Sequence, residues 1–113
     1  MTPAGFRELA LGLMDAHENE HMGHPDFRLH GKIFATLGYP DEEWAMIKLP
    51  PKEQAKYVET YPAIFVPAKG KWGLQGSTTV RLSAAPEDAV MAALNAAWFA
   101  MSAPRSRKTK KPY

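Results

Sequence analysis

Phe6, Leu9, Ala10 and Leu13 recur at the i, i+3, i+4, i+7 spacing of one helical face, which predicts an opening helix over about residues 3–15. Thr2 offers a cap, and Pro3 fits the first helical position. After a polar stretch rich in Glu and His, residues 26–30 alternate polar and apolar up to Gly31, and residues 32–37 resume as a second strand. Gly31 therefore marks the turn of an antiparallel hairpin. Gly38, Pro40 and Asp41 turn the chain into a strand over 43–49, with Ala45, Ile47 and Leu49 on one face and Trp44, Met46 and Lys48 on the other. Bulk on both faces makes this strand central.

Pro50 and Pro51 end that strand and start a helix to about Thr60, closed by Tyr61-Pro62. Residues 64–66 are extended, and residues 67–76 read as a loop with three glycines, two lysines and Trp72. A last strand over 78–83 turns Val80 and Leu82 inward and Thr79 and Arg81 outward. The final helix opens at Pro86-Glu87-Asp88, where the helix dipole favours carboxylates. It buries Val90, Leu94, Ala97, Trp98 and Met101 and stops before Pro104. Strands bracketed by helices predict an α+β fold, a two-layer sandwich of an antiparallel sheet with helices on one face.

Composition narrows the class. A chain of 113 residues with 45% hydrophobic and 23% charged positions suits one globular domain, expected over residues 1–103. No apolar run is long enough for a membrane span and no secretory leader pattern opens the chain, so a cytoplasmic protein with no membrane partner is expected. The absence of cysteine excludes disulfides, thiol catalysis and cysteine-ligated metals. Charge is unevenly placed: Arg105, Arg107, Lys108, Lys110 and Lys111 all follow Pro104, leaving residues 1–103 with nine Lys and Arg against twelve Asp and Glu, a net −3. Residues 104–113 are too basic and apolar-poor to bury a core, so a disordered arm is expected, either a solvated tail or a phosphate-binding one.

Catalytic residue types concentrate between His17 and His30. His21, His24 and Asp26 offer a metal-ligand set, but Gly23 and Pro25 deny them a helical face and no HExxH pattern is present, so no metal or cofactor is expected. A regular strand would project His24, Asp26, Arg28 and His30 from one face as a polar ledge. This is either a solvent-facing surface with a weak ion pair or a seat for an anionic small molecule or peptide. The serines lack a nucleophile-elbow setting, and no catalytic residues are assigned. In Lys69-Gly70-Lys71-Trp72-Gly73-Leu74-Gln75-Gly76 the glycines permit close backbone approach and the lysines suit phosphates. Trp72 reads as a packed lid over the sheet end or, less in keeping with the burial of large aromatics, as a stacking platform.

His24-Pro25-Asp26-Phe27-Arg28, then Gly31-Lys32-Ile33-Phe34-Ala35-Thr36-Leu37, then Trp72-Gly73, Gly76 and Thr79-Val80-Arg81-Leu82 together resemble the MmcQ/YjbR family of small bacterial proteins. The likeness runs from about Phe6 to Met101 and leaves out the basic tail. The resemblance implies a CyaY-like α+β fold and DNA binding of a double-wing type, with no catalytic triad, metal or cofactor. On that expectation Lys32 at the hairpin tip, Lys69, Lys71 and Trp72 in the long loop, and Arg81 supply the wing surface. Arg105, Arg107, Lys108, Lys110 and Lys111 add phosphate contacts, and with few base readers the binding should be weak and salt-sensitive.

Overall fold

Prolines and glycines set most element boundaries. In the computed structural model, which describes residues 1–102, the first helix α1 (Pro3–Leu11) begins with the Thr2 hydroxyl accepting the Gly5 N–H at 3.0 Å. It stops earlier than the apolar spacing predicts, because the Gly12 N–H closes the last turn and Asp15 adopts a positive φ of 63°. Leu13 still packs against the core. The second helix, α2 (Pro51–Thr60), starts at the expected proline pair, and the final helix, α4 (Glu87–Ser102), carries Glu87 and Asp88 in its first turn.

Six strands form one antiparallel sheet: β1 (His17–His21), β2 (His24–Leu29), β3 (Lys32–Leu37), β4 (Trp44–Lys48), β5 (Phe65–Pro67) and β6 (Ser77–Arg81), in the order β1-β2-β3-β4-β6-β5. β4 is internal, as its two-sided bulk requires. The expected turn at His30-Gly31 is present, with φ of 53° and 79° at the two positions. β1 is a strand that the sequence pattern does not announce. His-Glu-Asn-Glu-His lies at the sheet edge and is exposed over its first four residues, so no apolar alternation marks it. Met22 and Gly23, with φ of 49° and 81°, turn it into β2.

Two further boundaries differ from expectation. The segment read as a loop contains a one-turn helix, α3 (Gly70–Leu74), and the last strand gives way at Leu82 to a 3₁₀ turn over Leu82–Ala84. Leu82 is buried all the same.

The three longer helices cover one sheet face. Phe27, Ala35, Leu37, Ala45, Ile47, Val80 and Phe65 point into that layer and meet Phe6, Val90, Leu94 and Ala97, all buried. A register shift between β2 and β3 leaves Phe34 without a strand partner and lets it bury completely beside Ala35. Each of the Phe, Leu, Ile and Val side chains here contributes about 1.5–3 kcal/mol by leaving water, so this face dominates the fold. No helix among the described residues is long and apolar enough to cross a membrane.

Candidate nucleic-acid interface

Among the described residues, no helix layer covers the opposite sheet face. Register aligns Asp26, Thr36, Met46, Thr79 and Val66 in one row across it. A trough of about 490 Å³ crosses this face between the β1–β2 hairpin and α3. Ile33, Thr36 and Met46 line its middle, His21, His24 and Tyr39 one end, and Lys48, Lys69 and Trp72 the other. His24 meets the Tyr39 ring edge-on at 6.2 Å and the His21 ring at 6.4 Å. No Asp or Glu is among the lining residues. Lys48, Lys69, Lys71 and Arg81 enter no ion pair among the described residues.

The polar ledge takes a different form from the one expected. Asp26 is completely buried: Arg28 grips it with Nε to Oδ1 at 2.8 Å and Nη2 to Oδ2 at 3.1 Å, and His21 Nδ1 lies 2.7 Å from Oδ2. The Arg28 hydrogen bonds hold the Asp26 carboxyl below its ordinary range; burial opposes this, and the His21 hydrogen bond assists. His30 departs from the group, because it occupies the turn and is exposed. The unforeseen hairpin also sets His21 directly opposite His24, although a single strand would have turned them to opposite faces. Among the described residues, no group of three His, Cys, Asp or Glu side chains is placed to hold a metal ion.

The wing candidates divide. Lys69 and Trp72 line the trough, while Lys71 lies beside Trp72 on α3 outside the lining. Trp72 is 65% exposed, so it is not a packed lid. Arg81 shares the open face through Ser77 and Thr79, but sits four residues along β6 from Ser77, about 13 Å away. Lys32 pairs with Leu29, so register puts it on the core side of the hairpin end. Arg105, Arg107, Lys108, Lys110 and Lys111 lie outside the described residues, as does the end of the predicted domain at residue 103.

The glycines of the long segment serve the fold more directly than a ligand. A Cβ on Gly73 would stand 1.8 Å from the Ala68 carbonyl oxygen, and one on Gly76, at φ 112°, 1.7 Å from that of Leu49. The Gln54 amide of α2 then donates to the carbonyls of Gly73 at 3.0 Å and Ser77 at 3.2 Å, and lies 3.0 Å from Thr78 Oγ1. These contacts fix α3 as a wall of the trough. Sequence reasoning passed over Lys48, Met46 and Tyr39 as site residues and weighed His21 only as a metal ligand. The available signal was the alternation in β4, which sets Met46 and Lys48 opposite Ala45 and Ile47.

A family model for YjbR matches residues 11–100. Among solved structures, the fold is similar to the crystal structure of Deinococcus radiodurans protein DR2400, which carries a DUF419 domain, with a TM-score of 0.76 and 12% sequence identity over 96% of this chain and 86% of that one. At that identity the likeness concerns the fold. No curated protein matches the chain in sequence.

Proposed function

The chain belongs to the YjbR family, and from that premise we propose that it is a non-catalytic DNA-binding protein whose open sheet face and α3 meet phosphates. Charge segregation carries this reading. Residues 1–103 hold a net −3, which would repel a polyanion evenly approached. Yet the trough gathers Lys48 and Lys69 with no carboxylate in its lining, the Asp26 carboxyl beside His21 being buried under Arg28. The three helices that cover the other face carry Glu8, Glu53, Glu59, Glu87 and Asp88 against Arg7, Lys52 and Lys56, a net −2. Lys71 and Arg81 extend the cationic side, and the five basic residues after Pro104 supply further phosphate partners. Contacts of this kind orient a protein on a backbone without reading bases, so binding is weak, salt-sensitive and largely indifferent to sequence.

The alternative of an anionic small molecule or peptide held by His24, Asp26, Arg28 and His30 draws less support, because Asp26 is buried under Arg28 and His30 stands apart. The test is fluorescence-anisotropy binding to a random duplex across a salt series, for the full chain and for one ending at Ala103. A slope of log affinity against log salt that falls by about 4–5 on truncation assigns binding to the five tail cations. Retention of affinity and slope assigns it to the trough side of the sheet. Absence of binding by both chains overturns the proposal.

A further inference from the structure

We propose that the trough accepts unpaired nucleotides of a single strand, with bases against Trp72 and Tyr39 and phosphates at Lys48 and Lys69. The inference rests on the nucleic-acid reading above and names the form of nucleic acid that this site selects. Three observations carry it. First, the site is a concavity of about 490 Å³, within the roughly 300–1,000 Å³ that encloses ligands of small-molecule size. A duplex presents a convex backbone and keeps its base faces stacked inside, whereas an unpaired nucleotide can enter such a hollow base first.

Second, the aromatic groups are accessible. Trp72 is 65% and Tyr39 45% exposed, and they stand at opposite ends of the trough. An exposed indole beside lysines is costly for a surface that meets only water and phosphate, and it suits the π-face of a base. Third, cations flank one of these rings. Lys48 and Lys69 share the Trp72 end, and neither is neutralised by an ion pair among the described residues. A charged groove with interleaved aromatic faces is the general arrangement for sequence-tolerant single-strand binding. An uncovered antiparallel sheet carrying stacking side chains is one of its recurrent supports.

The experiment titrates the full chain into a fluorescein-labelled oligo(dT) of about twelve nucleotides and a mixed-sequence duplex of equal length over a salt series, with affinities compared at each concentration. The single strand is expected to bind more tightly. Trp72→Ala should weaken single-strand binding by about 5- to 150-fold, the loss of one stacked base, and duplex binding by a clearly smaller factor, since a duplex offers the indole no free base face while the tail and surface lysines serve both forms. Trp72→Phe should restore most of the single-strand affinity. Lys48→Gln should lower the single-strand salt slope by about 0.7.

Equal or tighter duplex binding, or an equal loss of both ligands in Trp72→Ala, overturns the single-strand assignment and leaves the DNA-binding reading standing. Thymidine monophosphate competing at the concentration of the strand itself overturns it in favour of a free-nucleotide site. No binding of strand or duplex overturns both.

Discussion

The two faces of the sheet are made by the same strands and the same alternation, but they are finished differently. On one face Phe27, Ala35, Ala45, Ile47, Val80 and Phe65 are sealed beneath three helices. On the other, Met46 and Trp44 are only half-buried, Lys48 is exposed, and the hollow between a hairpin and a one-turn helix stays open. Stability resides on the first face, so the second can carry lysines and exposed rings at little cost to folding. Antiparallel sheets tolerate this asymmetry because each strand devotes alternate residues to each side.

The sharpest way to break the comparison is at the point where both faces depend on one backbone position. Gly76→Ala should cost about 4 kcal/mol or more in denaturant unfolding, since a Cβ there meets the Leu49 carbonyl at a φ unsuited to L side chains. Next, Phe27→Ala on the sealed face should lose about 3–5 kcal/mol. Met46→Ala on the open face should lose about 1 kcal/mol by the same measurement, reflecting its partial exposure. If the two losses are equal, the faces are not energetically distinct.

A smaller effect concerns acid. The carboxyl of Asp26 ionises more readily in the folded chain than in the unfolded one, chiefly through Arg28. Its contribution is therefore fully present above the ordinary carboxyl range and is lost as pH falls below about 4 through the lowered folded value. Denaturant midpoints measured on either side of that range should fall with acid, and Asp26→Asn should flatten that fall while lowering the midpoint near neutrality. The smallest effect separates two lysines: Lys48→Gln should reduce the duplex salt slope by at most about 0.9 if it meets a phosphate. Lys32→Gln, on the core side of its hairpin, should leave the slope unchanged in the same titration.

Legibility in the sequence followed burial. Phe27 and Leu29, or Ala45, Ile47 and Leu49, announce their face because one side excludes water and the period of two survives. The hairpin turn at Gly31 and the proline starts of α1 and α2 were readable for equally local reasons. β1 escaped because an edge strand of His, Glu and Asn satisfies no burial rule, and with it went the juxtaposition of His21 and His24. α3 was hidden because five residues cannot establish a helical period and two of them are glycine. Asp26 and Arg28 were legible as same-face neighbours, but the burial of the carboxylate depends on packing around the pair that spacing alone does not specify. Lys48 was visible opposite Ile47, yet bulk on both faces was read only as a sign of a central strand, when one of those faces lies open.

Gln54 reaches from the helix layer to the carbonyls of Gly73 and Ser77, and so ties the wall of the trough to the sealed side of the sheet. The consequence is entropic. A wall already held by the folded core has little freedom left to lose, so a ligand bound there would bear little of the cost of ordering its receptor. If the trough takes a single strand as proposed, its affinity would be set by the ordering and unstacking of that strand, and weakly stacked bases would bind more tightly than pre-stacked ones of the same charge.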